Sequence, residues 1–174
     1  DPRRLPGDEQ AVARQASSYG AFDQMRTALH GAHTLFLIPA AEAADRVPQH
    51  RSAVDAAVSA GIERIVYLSF LGAAENAKFT LARDHWHTEQ HIRKTALRWT
   101  FLRMNLYLDF VPSMVLPDGV IRGPAGQGRV SAILREDVAA ACAAVRVGTV
   151  AGSGARDRRD TGVRCFIVVR VAGT

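Results

Sequence analysis

Three of the six histidines lie in one short stretch, residues 84–91, which reads DHWHTEQH. His87 and His91 are spaced i, i+4, so a helix would place both imidazoles on one face, with Glu89 nearby. Two imidazoles at this spacing can bind zinc, as they do in a zinc-protease helix. That motif requires Glu directly after the first histidine, but Thr88 stands there, and no third ligand is marked. We therefore predict no metal site and place His87 and His91 on a solvated helix face.

Small and polar residues follow three short apolar runs that we predict to be β-strands. The carboxyl ends of parallel strands meet at one edge of a sheet, and ligands bind beyond that edge. Small residues there would let a flat ligand approach the backbone, although an ordinary strand-ending turn is the alternative. A buried hydroxyl at a strand tip needs a hydrogen-bond partner, which is either backbone or ligand. The candidates are Pro39 and Ala40 after the first run, Ser69 and Phe70 at the second, and Asn105 after the third.

The elements that position these residues alternate between strand and helix patterns. Such alternation is typical of βα units and a parallel sheet, and right-handed crossovers then predict a Rossmann-like, doubly wound α/β fold. Gly31 and Gly61 stand where glycine ends a helix. We predict helices over 21–29, 45–60, 80–94 and 136–147, strands over 34–38, 64–69 and 99–103, and a further short strand over 11–15.

Composition narrows the class of protein. The chain has 174 residues, with 48% hydrophobic and 22% charged side chains, which is ordinary for one globular domain. The net charge of +5 owes much to the end of the chain, where five arginines and two aspartates follow residue 150. Because no basic stripe remains elsewhere, we predict no nucleic-acid partner. No apolar run of about 18 residues and no signal peptide is present, so we predict no membrane partner and a cytoplasmic location.

A family resemblance becomes visible over longer stretches. The chain resembles the atypical short-chain dehydrogenases of the NmrA-like group in TLFLIPAAEAADRVPQHRSAVDAAVSAGIERIVYLSFLGA, then in FTLARDHWHTEQHIRKTALRWTFLRMNLYLDFVPSM, then in GRVSAILREDVAAACAAV. The order and spacing of these stretches are kept from residue 1 to about 147. The group includes NAD(P)H:quinone oxidoreductases and redox-sensing regulators. The resemblance implies NADP or NAD as cofactor and a small-molecule substrate, and leaves a homo-oligomer open.

The resemblance also implies departures from the family pattern. DPRRL at the start resembles a segment that follows the second strand, so we expect the fold to be truncated at its N-terminus and to lack the glycine-rich turn. The aspartate found near the adenine is replaced by Ser18, which we retain as a cofactor contact. We expect residues 1–147 to form a partial NAD(P)-binding Rossmann domain with the start of a substrate lobe. Residues 148–174 would be an atypical tail, frameshifted or disordered.

The catalytic pair of conventional short-chain dehydrogenases, Tyr-x-x-x-Lys, is also lost. Related members have Glu four residues after the lysine, and counting back from Glu89 puts the lysine place at His85 and the tyrosine place at Leu81. Leucine cannot transfer a proton. The resemblance therefore implies His85 and Ser69 as the catalytic residues that remain, with a partly buried, backbone-bonded histidine as the alternative for His85. The implied cofactor-binding residues are Ser18, Pro39, Ala40, Ser69, Phe70, His85 and Asn105.

Two classes of function follow from this pattern. The first is an NAD(P)H-dependent oxidoreductase that transfers hydride to a quinone-like or other small electrophile without a Tyr-Lys pair. The second is a non-catalytic relative that senses NAD(P) or binds a protein, or an inactive fragment. Turnover of NADPH with quinones would separate the two classes.

Overall fold

A parallel β-sheet lies at the centre of the computed structural model, which describes residues 14–123, 129, 131–146 and 166–168. The elements in chain order are α1 (Phe22–Leu29), β1 (Thr34–Leu37), α2 (Arg46–Ser59), β2 (Arg64–Phe70), α3 (Thr80–Arg93), β3 (Arg98–Met104), a 3-10 helix (Leu108–Met114), α4 (Arg135–Arg146) and β4 (Phe166–Val168). The strand order is β3-β2-β1-β4, and every neighbouring pair is parallel. Helices α2 and α3 connect consecutive strands, so the fold is Rossmann-like, as the sequence predicts.

The register of β2 and β3 brings polar groups together on one face of the sheet. Ser69 on β2 pairs with Arg103 on β3. Tyr67 lies two residues before Ser69 and therefore points to the same face. Helix α3 packs against both strands, and His85 and Glu89 are among its buried residues. Residues two apart on a strand point to the same face of the sheet, and residues four apart on a helix lie on the same helix face. The side chains of Tyr67, Ser69, Arg103, His85 and Glu89 therefore become neighbours.

The hydrophobic core holds the helices against the sheet. Helix α1 packs on α2, and α2 packs on α3. Each fully buried aliphatic or aromatic side chain stabilises the fold by about 1.5–3 kcal/mol relative to an exposed one. The largest buried apolar side chains are Met25, Leu29, Leu35, Leu37, Val54, Ile65, Tyr67 and Ile92.

The predicted elements between residues 21 and 146 are confirmed, with ends that differ by one or two residues. Gly31 and Gly61 follow α1 and α2 with φ of +77° and +80°, the left-handed conformation that glycine adopts without strain. The strand predicted over 11–15 is wrong at residues 14 and 15, which are in no strand. Arg14 instead donates to the carbonyls of Ala28 and His30 at the end of α1, at 3.2 and 2.5 Å. Residues 11–13 lie outside the described part.

Strand β4 falls within the range predicted to be an atypical tail. It pairs in parallel with β1, with Phe166 beside Thr34. The rest of residues 147–174 lies outside the described part of the chain. The predictions of a domain boundary after residue 147 and of a frameshifted or disordered tail therefore stay predictions.

Apolar side chains are exposed just beyond β3. They extend through the 3-10 helix and the segment after it, and the set comprises Leu106, Leu108, Phe110, Met114, Val115, Leu116, Val120 and Ile121.

Over the residues that the structure describes, no helix combines the length and the apolarity that crossing a membrane would require.

Candidate functional site

The carboxyl ends of β1, β2 and β3 lie at one edge of the parallel sheet, and hydrogen bonds hold this edge. The Leu71 N–H donates to the Met104 carbonyl at 2.6 Å, which links the ends of β2 and β3. The Tyr19 hydroxyl donates to the Ile38 carbonyl, just beyond β1, at 2.7 Å. Burial raises the pKa of Tyr19 to about 12, so this hydroxyl keeps its proton at neutral pH. We call the strand ends and the residues directly after them the strand edge.

Arg46, the first residue of α2, is a buried cation at the strand edge and is only 4% exposed. Its Nε donates to the Ala40 carbonyl at 2.9 Å, and its Nη1 donates to the Asp84 carboxylate at 3.3 Å. Its Nη2 lies 3.3 Å from Nε2 of His85. A guanidinium has donors and no acceptor, so this histidine nitrogen must accept.

The contact with Arg46 fixes the direction of a chain of hydrogen bonds. Because Nε2 of His85 accepts, we infer that its proton sits on Nδ1, which donates to the Tyr67 hydroxyl oxygen at 2.9 Å. The Thr88 hydroxyl lies beside Tyr67 and donates to the Asp84 carbonyl at 2.9 Å. The hydrogen bonds from the guanidinium through His85 to the Tyr67 hydroxyl therefore run in one direction.

His50 on α2 reaches the same threonine from another side. The Ala40 N–H donates to Nε2 of His50 at 2.9 Å, so the proton of this imidazole sits on Nδ1, 2.9 Å from the Thr88 hydroxyl. The Thr88 oxygen then accepts one hydrogen bond from His50 and donates one to the Asp84 carbonyl. Over the described residues, every buried side-chain nitrogen or oxygen has a partner. We call Arg46, His50, Tyr67, His85 and Thr88 the buried network.

Burial keeps both histidines of this network uncharged. His50 is 0% exposed and His85 is 2% exposed. Desolvation, followed by the positive charge of Arg46, lowers the pKa of each imidazole from 6.5 to about 3. At neutral pH the two rings therefore act as neutral groups that each donate one hydrogen bond and accept one.

Glu89 is a second buried centre, with a 0% exposed carboxylate that accepts three hydrogen bonds. The Ser69 hydroxyl donates to its Oε1 at 2.6 Å. Arg103 binds both carboxylate oxygens, with Nε–Oε1 at 2.9 Å and Nη2–Oε2 at 2.6 Å. The hydrogen bonds to Glu89 raise the pKa of Arg103. A bidentate guanidinium–carboxylate pair is strong and directional, so it holds α3 against the ends of β2 and β3.

The predicted cofactor-binding residues lie along the strand edge with different exposure. Phe70 is half-buried, and its ring stacks on His85 with the centroids 5.9 Å apart. Pro39 and Ala40 are half-buried beyond β1. Asn105 is half-buried after β3, and its side-chain oxygen accepts the next backbone N–H at 2.8 Å. These four residues can present a surface to a ligand.

Ser18 reaches the strand edge indirectly. It is half-buried, and its carbonyl accepts the Ala21 N–H at the start of α1 at 3.2 Å. Its neighbour Tyr19 makes the bond to Ile38 that brings this segment to the end of β1. The adenine contact predicted for Ser18 stays a prediction.

The two predicted catalytic residues, Ser69 and His85, are enclosed. Ser69 is 0% exposed and its hydroxyl donates to Glu89, while both ring nitrogens of His85 are occupied. This geometry favours a role in holding the strand edge over direct contact with a substrate. The catalytic assignment itself stays a prediction.

Sequence reasoning missed Arg46, His50 and Tyr67, although each leaves a signal. A basic residue in the first turn of a helix opposes the helix dipole and so needs another reason to be there. His50 follows Arg46 by one helical turn, which puts both on one face. Tyr67 interrupts an apolar strand, and a buried tyrosine hydroxyl usually has a partner. A cation, an imidazole and a phenol in consecutive elements together indicate a buried polar network.

The three histidines of residues 84–91 face different directions in the structure. His85 faces inward, whereas His87 and His91 are half-buried on the outer side of α3. His91 Nε2 lies 2.7 Å from the Asp55 carboxylate, so this histidine is bonded rather than simply solvated. Among the residues described, no group of three or more His, Cys, Asp or Glu side chains is placed to bind a metal.

Thr88→Val is expected to lower the free energy of unfolding by about 1–3 kcal/mol. Valine keeps the shape of threonine but leaves the His50 Nδ1–H without an acceptor in the core, which costs about 1–3 kcal/mol for a buried unsatisfied group. Urea unfolding followed by circular dichroism measures the change.

Thr27→Val is the matched control for this substitution. Thr27 makes the same i to i−4 bond in α1, with its hydroxyl donating to the Asp23 carbonyl at 2.8 Å, but it is exposed. Its replacement is expected to change stability by less than about 0.5 kcal/mol. Equal effects of the two substitutions would contradict the role of Thr88 as the acceptor for a buried donor.

The range that matches a known protein family includes the whole strand edge. A family model described as NAD(P)H-binding matches residues 2–146. This range is most of the chain and includes the buried network, Glu89 and the predicted cofactor contacts. The chain belongs to the NAD(P)H-binding family. The predicted fold and the predicted cofactor class, NADP or NAD, are confirmed at the level of this family.

Curated relatives and solved structures agree with the family. Quinone oxidoreductase 2 of Escherichia coli is 36% identical over 151 residues, which cover 82% of this chain and 52% of that protein. The crystal structure of the NADPH-dependent quinone oxidoreductase of E. coli with NADPH matches at a TM-score of 0.68 and 37% identity, over 76% of this chain and 47% of that one. Triphenylmethane reductase of Citrobacter sp. with NADP(H) matches at a TM-score of 0.72 and 31% identity, over 84% and 52%. The predicted resemblance to quinone oxidoreductases is confirmed, and the chain spans about half the length of these relatives.

The strand edge fits one half of the family's cofactor. A nicotinamide ring is flat, and the half-exposed Phe70 ring and the small residues at 39 and 40 offer it a flat apolar contact. A dinucleotide pyrophosphate binds at a glycine-rich turn that opens a helix. The glycines in the described part of the chain do not form such a turn. The residues on the strand edge are therefore suited to the nicotinamide end.

Proposed function

We propose that the protein is an NAD(P)H-dependent reductase that transfers hydride to a quinone-like acceptor without a proton donor from the protein. The observation that supports this most is the pair of positions 81 and 85 on α3. Leu81 has no proton to give, and His85 is enclosed, neutral and bonded at both ring nitrogens. In conventional short-chain dehydrogenases these places hold the Tyr that protonates a carbonyl oxygen and the Lys that lowers the pKa of that Tyr.

A quinone does not need that protonation during the chemical step. When bound, the reduced nicotinamide supplies a hydride, and a quinone that accepts it becomes a hydroquinone anion whose charge is delocalised. Water then supplies the proton to the oxygen. A simple ketone would instead become an alkoxide, which requires a proton donor or an oxyanion site. The relatives that reduce quinones and triphenylmethane dyes support the same class of acceptor.

The chain's own residues would then bind and orient rather than transfer protons. The buried network fixes the backbone of Ala40 through both its N–H and its carbonyl. The Glu89 cluster fixes the ends of β2 and β3. Phe70 supplies the apolar face for the nicotinamide and excludes water from it. Positioning of this kind can contribute a large part of a rate enhancement without any acid or base.

An acceptor panel tests the proposal. NADPH and NADH oxidation by the purified protein is followed with a benzoquinone, a naphthoquinone and an aliphatic ketone. We expect both quinones to be reduced and the ketone to be left unchanged. Reduction of the ketone at a rate comparable to that of the quinones would contradict the proposal that the protein supplies no proton donor. Binding of NADPH without oxidation by any acceptor would identify the alternative, a protein that senses NAD(P).

Phe70→Ala is expected to weaken NADPH binding about tenfold, because loss of one aromatic contact costs about 1–1.5 kcal/mol. Titration of NADPH, followed by quenching of intrinsic fluorescence, measures the dissociation constant. The loss should be smaller for a cofactor fragment that lacks the nicotinamide ring, because Phe70 contacts that ring in the proposal.

Val58→Ala is the matched control. Val58 is 45% exposed near the end of α2, far along the helix from the strand edge, and should leave the dissociation constant unchanged. Because Phe70 also stacks on His85, thermal unfolding of both variants is recorded at the same time. An unchanged dissociation constant in a folded Phe70→Ala variant would place the nicotinamide elsewhere.

A further inference from the structure

A cleft of about 310 Å³ lies on the outer side of helices α2 and α3. Along α3 and the residue that caps it, four of the lining residues recur at positions i, i+3, i+4 and i+7 from His87, so they form one helix face. Arg51 lies across from them on α2. The lining residues are Arg51, Trp86, His87, Gln90, His91 and Lys94.

The cleft has an excess of positive charge. Within the part of the chain that the structure describes, Arg51 and Lys94 make no ion pair and no side-chain hydrogen bond. Most other basic side chains there are engaged, as Arg98 is with Glu63 at 3.3 Å. The one carboxylate beside the cleft, Asp55, is bonded to His91 at 2.7 Å. Arg51 and Lys94 are two cations against the one carboxylate of Asp55, so the cleft keeps an excess of positive charge.

The remaining walls are suited to an anion with oxygen acceptors. The amide of Gln90 can donate and, among the described residues, makes no hydrogen bond. His87 contacts the Trp86 ring edge-on, with centroids 5.0 Å apart, and makes no other bond in the described part. Trp86 is half-buried and provides an apolar wall that excludes water. Removing water from one side strengthens the attraction between the cations and a bound anion.

Helix geometry alone does not account for this arrangement. The carbonyls at the end of α3 favour a cation at Lys94, because the negative end of the helix dipole lies there. The same field does not explain Arg51, which lies in the first half of another helix and faces the same cleft. A ligand that bridges the two helices explains both cations.

We propose that this cleft binds the phosphate group of a small ligand, with Arg51 and Lys94 as the two charged contacts and Gln90 as a neutral donor. Phosphate matches the site because it carries up to two charges and presents oxygens in several directions. The site is separate from the strand edge because its residues on α3 lie on the outer helix face, whereas His85 is buried on the face that packs against the sheet. It therefore does not depend on the proposed reductase function.

Pyrophosphate titration of the full chain by calorimetry at low ionic strength tests this site. We expect saturable binding that weakens about tenfold for each of Arg51→Gln and Lys94→Gln. Lys78→Gln is the matched control, because it removes the same charge from an exposed lysine outside the cleft and should leave the affinity unchanged. Fluorescence of Trp86 should respond to pyrophosphate, and Trp86→Phe should abolish that response while calorimetry still detects binding.

Three outcomes would overturn the proposal. The first is the absence of saturable binding at low ionic strength. The second is an equal loss of affinity for the control and the cleft variants, which would indicate a general effect of net charge. The third is competition between pyrophosphate and NADPH with no effect of the cleft variants, which would assign the anion to the strand edge. Stability of each variant is checked by thermal unfolding, and the substitutions at the exposed Arg51, Lys78 and Lys94 should leave it within about 0.5 kcal/mol.

Discussion

Replacement of Arg46 by methionine is expected to lower the free energy of unfolding by about 3–5 kcal/mol. Methionine fills much of the same volume but leaves the Asp84 carboxylate, 19% exposed at its side chain, without the cation that it pairs with. Removal of one partner of a largely buried ion pair is costly because the other charge remains desolvated. The Ala40 carbonyl and Nε2 of His85 also lose their donor. Urea unfolding at neutral pH measures the change.

Arg51→Met is the matched control for this effect. Arg51 is on the same helix, but it is exposed and makes no ion pair among the described residues, so its replacement is expected to change stability by less than about 0.5 kcal/mol. Arg46→Lys should fall between the two variants. An ammonium group keeps the charge but cannot match the fork of donors that reaches Ala40, Asp84 and His85 together. A loss below about 1 kcal/mol for Arg46→Met would show that the buried network stands without its cation.

Acidification is expected to destabilise the fold well before the carboxylates titrate. The pKa values of His50 and His85 are lowered to about 3 in the folded chain, from an ordinary value of 6.5 that applies to the unfolded chain. Between these values the unfolded chain binds protons that the folded chain does not. Stability from this source is therefore complete above pH 6.5 and falls as pH drops from about 6.5 toward 3. Each histidine contributes a slope of up to about 1.4 kcal/mol per pH unit.

Urea unfolding at a series of pH values from neutral to mildly acidic measures this slope. His50→Gln and His85→Gln should each remove up to half of the histidine contribution to the slope, whatever their effect on stability at neutral pH. His30→Gln, at an exposed histidine just after α1, should retain the full slope. A profile that is flat below pH 6.5 would mean that both imidazoles take up protons in the folded chain.

The fold could be predicted from the sequence because its signals are local. Apolar runs of strand length, helical periodicity and the glycines after α1 and α2 each specify an element without reference to the rest of the chain. The strand edge was also predictable, since the ends of parallel strands meet by topology alone. Pro39, Ala40, Phe70 and Asn105 lie on that edge for this reason.

The direction in which each polar side chain points could not be predicted in the same way. Ser69 and His85 were expected to face a ligand, yet Ser69 meets Glu89, and Arg46 and Tyr67 occupy the two nitrogens of His85. Those partners come from different elements, so their meeting depends on strand register and helix rotation. The spacing of residues within one helix shows neither the strand register nor the rotation of the helix. Arg46 is a basic residue in the first turn of a helix, where it opposes the helix dipole, and this is the signal in the sequence that indicates a partner outside its own helix.

The single direction of hydrogen bonding through the buried network has a consequence for how this sequence can change. His85 cannot become a residue that only donates while Arg46 remains, and Thr88 cannot lose its hydroxyl while His50 donates to it. The effects of substitutions at these five positions should therefore be strongly non-additive in double-mutant cycles. Related sequences are expected to change these five residues together or to keep all of them. A substitution at one position limits which residue types are tolerated at its neighbours.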